Sequence, residues 1–120
     1  MLLHDLFHDA ETTHFAAGDY IFREGDHGEI MFVVIAGELE IREGSTLLEI
    51  AGPGSIVGEM ALIDDEPRSA TVVARTDARL VPVNRRRFEF MVQETPFFAL
   101  TVMKILADRL RHTNAKLPAK

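Results

Sequence analysis

Apolar residues change their spacing twice along this chain. At the start, Leu2, Leu3, Leu6 and Phe7 share one side of a helical wheel, which predicts a short amphipathic helix over residues 2–9. From residue 12 to residue 83 the pattern is short β-type runs divided by Gly18, Gly25, Gly28, Gly37, Gly44, Gly52 and Gly54. Runs of that length and rhythm point to a sandwich, a jelly roll or a small barrel. Residues 30–35 are continuously apolar and should lie deep, whereas Leu39-Glu40-Ile41-Arg42 alternates and should be half exposed. Pro82 demotes the run around it to an edge or a bulge. After Asn84 the spacing becomes helical. Asn84 suits an N-cap for a helix through about Glu94, with Phe88, Met91 and Val92 inward. Pro96 suits the first turn of a second helix running to about Lys116. The expected order is a β body over residues 12–83, then two helices over residues 84–117.

Bulk properties narrow the function. The 120 residues suffice for one domain with a real core. Nineteen acidic against thirteen basic residues give a net charge of −6, which argues against a general nucleic-acid surface. The one basic cluster, Arg85-Arg86-Arg87, reads as a solvated face. Without cysteine there is neither a disulfide nor a thiolate metal site. No apolar stretch is long enough for a membrane span, and the first residues lack the regions of a signal peptide, so a cytoplasmic setting is the expectation. No nucleophile motif or Walker pattern is present, which favours a binding module over an enzyme. His4 and His8 stand at zinc-ligand spacing with no third ligand in sequence, and read as surface residues. His27-x-Glu29 raises a metal-binding cupin barrel as a rival, although cupin sites need histidines that are missing here.

The chemistry concentrates in residues 58–71, Gly-Glu-Met-Ala-Leu-Ile-Asp-Asp-Glu-Pro-Arg-Ser-Ala-Thr. A helical turn opening at Gly58 leaves its first N–H groups free to face an anion. Arg68 offers a planar guanidinium that can grip two phosphate oxygens. Glu59 would repel such an anion unless it accepts a hydrogen bond from a hydroxyl of the same ligand. A group with both a phosphate and a ribose hydroxyl is a nucleotide. The acidic run Asp64-Asp65-Glu66 reads as a solvated loop tip.

This segment resembles the phosphate-binding cassette of cyclic nucleotide-binding domains, the family of bacterial catabolite activators and of cyclic-nucleotide-regulated kinases and channels. The family pattern is F-G-E-[LIM]-A-L, a variable stretch, then R-[AST]-A-[TS]. The departure is Val57, where an aromatic is common. Residues 17–26 and 33–39 also fit, so the resemblance spans about residues 12–117. It implies a double-stranded β-helix, a jelly-roll-like barrel, with a short N-terminal helix and two C-terminal helices. It also implies a ligand site of Gly58, Glu59, Met60, Ala61, Arg68, Ser69 and Ala70 for cyclic AMP or cyclic GMP, with no other cofactor. Within it Glu59 takes the ribose 2′-hydroxyl and Arg68 the cyclic phosphate, helped by the Ala61 and Ala70 N–H groups and the Ser69 hydroxyl. Residues 106–114 resemble the activators' ligand-capping helix, which makes Thr113 and Asn114 the expected base contacts.

The same helix carries a second stripe. Met103, Leu106, Leu110, Thr113 and Leu117 are spaced 3, 4, 3, 4, beside a neighbouring row of Phe98, Val102 and Ile105. One row can dock on the body while the other forms a parallel homodimer. An effector protein of unknown kind would read the helix position. The family's activators continue into a helix-turn-helix domain that these 120 residues do not contain, so direct DNA binding in that manner is not expected. Met1 is read as favouring a single-domain protein over a regulatory piece of a longer one. The competing class is an interaction scaffold with a vestigial pocket and a dimerising helix.

Overall fold

The structure is a computed structural model that describes residues 3–7 and 9–115; the side chains of residues 4 and 113–115 lie outside that description. Eight strands form two four-stranded antiparallel sheets. The strands are β1 (Thr13–Phe15), β2 (Tyr20–Phe22), β3 (Ile30–Ala36), β4 (Leu39–Glu43), β5 (Thr46–Ala51), β6 (Ile56–Val57), β7 (Thr71–Ala74) and β8 (Ala78–Asn84). One sheet has the order β1-β8-β3-β6, the other β2-β7-β4-β5.

The expected jelly-roll-like barrel is therefore corrected: among the described residues no pairing joins the two sheets, and β1, β6, β2 and β5 remain edges. The physical reason lies in the strand ends. β6 has only two residues before Gly58, at φ 80°, turns the chain into the helix α1 (Met60–Asp64). It is too short to carry the ladder onward. What remains is a pair of facing sheets with a helical layer.

The apolar run is deep only in part: Met31, Val33 and Val34 are wholly buried, Phe32 and Ile35 are half-buried, and Ile30 is 38% exposed. Pro82 does not sit on an edge strand, because β8 lies between β1 and β3. Yet β1 begins only at Thr13, opposite Leu80, so at Pro82 only β3 is paired, through Phe32. The missing N–H is harmless there.

The N-terminal helix predicted over residues 2–9 is a 3-10 turn, Leu3–Phe7, whose Leu3 and Phe7 enter the core. Leu2 and His8 lie outside the described residues. The helix α2 (Arg85–Glu94) starts as predicted, with Asn84 Oδ1 accepting from the Arg87 N–H at 2.8 Å. Phe88 and Met91 pack inward, but Val92 is 38% exposed. The helix α3 (Pro96–Ala115) docks through Phe98 and Val102. Phe98 makes edge-on contacts with Phe7 at 6.3 Å and Phe88 at 5.6 Å, joining the three helical pieces. The two rows of α3 divide differently from their expected spacing. Leu106 packs against the core, while Leu100, Met103 and Leu110 are exposed. Among the described residues no single helix is long and apolar enough to cross a membrane.

Candidate functional site

Arg68 lies in the connection between α1 and β7, yet the residue is only 7% exposed. Its Nη1 donates to the Gly58 carbonyl at 2.9 Å and its Nη2 to the Ile30 carbonyl at 2.7 Å. The guanidinium carbon stands 4.2 Å from the centre of the Phe22 ring. Main-chain bonds pin the residue as well: Arg68 N–H donates to Asp26 O, and Gly25 N–H donates to Arg68 O, both at 2.8 Å. No ion pair joins Arg68 to a carboxylate among the described residues, and its Nε is buried without a partner. Burial accordingly pulls its pKa below the usual guanidinium range, offset in part by the charges of Asp26 and Glu59.

Glu59 stands at the N-cap position of α1 and is 5% exposed. Its Oε1 accepts from Arg109 Nη1 of α3 at 2.6 Å. Arg109 Nε meanwhile donates to Glu49 Oε1 at 2.9 Å, and its Nη2 donates to Ser55 Oγ at 3.1 Å and to the Ile56 carbonyl. One guanidinium thus ties the last helix to β5, β6 and the start of α1. Burial pushes the Glu59 carboxyl above its ordinary pKa, with the Arg109 charge pulling it back.

These two poles border one cleft of about 710 Å³ between the second sheet, α1 and α3. Small-molecule sites run from roughly 300 to 1,000 Å³. Gly58, Glu59, Met60, Ala61, Arg68, Ser69 and Ala70 all line it, with Val57, Val72 and Leu106 among its apolar walls. Thr113 and Asn114 stand on the last turn of α3, and their side chains lie outside the described residues. The acidic run is outside the cleft's lining, and Asp64, Asp65 and Glu66 are exposed. Among the described residues no group of three or more His, Cys, Asp or Glu could hold a metal ion.

Several contributors were not legible in advance. Arg109 lies in the helical stretch that carried the resemblance, and its signal was indirect: a carboxylate beside an anion site needs a cation when buried. Phe22 and Glu49 carried no local mark. Arg85 is not part of a solvated face, since its Nη1 donates to the Leu62 carbonyl at 2.8 Å and its Nη2 contacts Asp65. It holds the C-terminal end of α1 to the start of α2.

A family model for the cyclic nucleotide-binding domain matches residues 12–95. The chain belongs to the cyclic nucleotide-binding domain family. That membership makes these residues a nucleotide-sensing regulatory domain rather than a catalytic domain or a metal cupin. It is 30% identical over 108 residues to a CRP-like cAMP-activated global transcriptional regulator of Mycobacterium tuberculosis, covering 86% of this chain and 48% of the regulator. It is 31% identical over 105 residues to a cyclic AMP receptor protein of Thermus thermophilus, covering 83% of this chain and 49% of that protein. The chain thus spans about half the length of these relatives. The crystal structure of Thermus thermophilus catabolite activator protein superposes with a TM-score of 0.76 at 28% identity, over 92% of this chain and 60% of the other.

Proposed function

We propose that the chain senses cyclic AMP or cyclic GMP as one domain, with Arg68 taking the cyclic phosphate and Glu59 the ribose 2′-hydroxyl. The observation that carries this reading is the buried Arg68 guanidinium, which lines the cleft with carbonyls but no carboxylate on it. Such a cation is incomplete without an anion, and a cyclic phosphate supplies one. Ser69 Oγ and the Ala61 and Ala70 N–H groups complete the phosphate cradle, with the glycine at 58 letting the backbone approach. Met60 flanks the mouth. A carboxylate accepts on two oxygens, so Glu59 can take the ribose hydroxyl while Arg109 keeps Oε1. Thr113 and Asn114 are assigned to the base.

Signalling would follow from α3. Arg109 bridges the ribose pole to that helix, so ligand and helix position are energetically linked whenever the two helix states bind ligand unequally. The output is a repositioned helix, read in a cytoplasmic setting by an effector protein or by a second copy of the chain. Direct nucleic-acid contact is not part of this proposal.

Each charge-assisted contact contributes roughly 1.5–3 kcal/mol. Arg68→Ala should therefore weaken binding by about 30-fold or more in calorimetry with either nucleotide. Unchanged affinity would remove Arg68 from the phosphate. Side-by-side titration of the native chain with both cyclic nucleotides decides base choice. No heat and no thermal shift with either would leave the dimerising scaffold as the better account.

A further inference from the structure

Gly28 stands on the loop between β2 and β3 with a φ outside the left-handed region. A side chain there would suffer no backbone strain. It would suffer a collision: a Cβ on Gly28 would sit 2.5 Å from Arg68 Nη2 and 2.9 Å from its Cζ and Nε. By contrast Gly18, Gly25 and Gly44 have positive φ and nothing within 4 Å of an added Cβ. They serve the turn, whereas Gly28 serves a contact.

The guanidinium has no easy retreat from that contact. Its Nη1 and Nη2 are bound to the Gly58 and Ile30 carbonyls, and the Phe22 ring lies 4.2 Å from Cζ. On the other flank a Cβ at Gly58 would come within 2.6 Å of Nη1. The loop itself is closed, because Arg23 N–H donates to Asp26 Oδ2 and Asp26 N–H to Arg23 O, both at 3.0 Å. The same turn holds the main chain of Arg68 through Gly25 and Asp26.

We infer that Gly28 is a positioning residue for the anion site: the β2–β3 loop fixes the Arg68 guanidinium, and its missing Cβ sets where the phosphate-binding nitrogens lie. This rests on the reading of Arg68 as the phosphate ligand. A displacement of the guanidinium by a few tenths of an ångström upward should then be read as lost affinity, graded by side-chain size.

The test is a cycle of Gly28→Ala, Gly28→Val and Arg68→Ala, alone and combined. Calorimetry with cyclic AMP and cyclic GMP should show a loss of several-fold for Gly28→Ala and about tenfold to a hundredfold for Gly28→Val. Combined with Arg68→Ala, either change should add nothing further. Thermal melting supplies a readout that needs no ligand. Gly28→Val should lower the midpoint in the native background, and that loss should be relieved when Arg68 is trimmed to alanine. Full affinity in Gly28→Val, or a melting loss that persists without the arginine, overturns the inference. If the native chain binds neither nucleotide, the proposed function fails on its own, while the melting cycle still decides the role of Gly28.

Discussion

Two buried charges set the character of the cleft, and they are out of balance in opposite ways. Arg68 is a cation held by carbonyls, whereas Glu59 is an anion held by Arg109 but with its pKa raised because burial outweighs that attraction. The sign of the pH effect follows. A carboxyl with a raised folded pKa contributes stability that is complete below its unfolded pKa and lost as pH rises through the folded value. At neutral pH the charged Glu59 therefore weighs against the fold. Glu59→Gln should melt no lower than the native chain at pH 7, and the difference should close as pH falls below about 4.3, the ordinary glutamate value. A midpoint several degrees lower at pH 7 would mean that the Arg109 attraction wins. In binding, Glu59→Gln should matter for cyclic AMP and little for its 2′-deoxy analogue. Removing the partner is the harsher change. Arg109→Met leaves the carboxylate buried and alone, at a cost on the order of 3 kcal/mol, and adding Glu59→Gln should recover much of it. Denaturant titration of the single and double variants measures both numbers.

At the scale of elements, α1 is the weak part, and its weakness is useful. Five residues cannot sustain a helix by themselves, since nucleation is costly and few bonds repay it. Its end is held from outside, by Arg85 on the Leu62 carbonyl and by Asp65 in the left-handed conformation at φ 58°. Arg85→Met should raise amide exchange in α1 by about tenfold to a hundredfold, the equivalent of losing one charged hydrogen bond, while protection in α2 stays unchanged. Equal loosening of both helices would make Arg85 a general stabiliser instead of a local cap. This element also shows how far the residues could be read in advance. The turn at Gly58 and the N-cap Asn84 are local chemistry, and each was legible from the residues around it. The segment from Gly58 to Ala70 was legible as one unit because its members are close in sequence. Arg109 and Gly28 were not, because their partners are 50 and 40 residues away and only the folded chain brings them together. Sheet closure failed for a related reason. Strand rhythm reports how many strands exist, but whether their ends meet depends on lengths such as the two residues of β6.

For the whole molecule the open question is what covers the outer face of α3. Phe98 and Val102 satisfy its inner face and Leu110 borders the cleft, so Leu100 and Met103, at 63% and 56% exposure, are left over. Their spacing of 3 puts both on one side of the helix. A seam this apolar on a chain of net charge −6 favours a partner that meets it with apolar side chains, and a second copy in parallel does so in register. Such a dimer would join α3 of one copy to that of the other and, through Arg109, the two Glu59 carboxylates. The expected consequence is twofold. Sedimentation of the native chain should give a dimer, and its melting midpoint should rise with protein concentration. Leu100→Glu combined with Met103→Glu should give a monomer whose midpoint no longer depends on concentration, because like charges would face each other across the seam. Neither residue packs in the described core, so the fold itself should survive, as far-ultraviolet circular dichroism would register. If the double variant sediments like the native chain, the seam is not the contact between copies, and the outer face of α3 belongs to the effector.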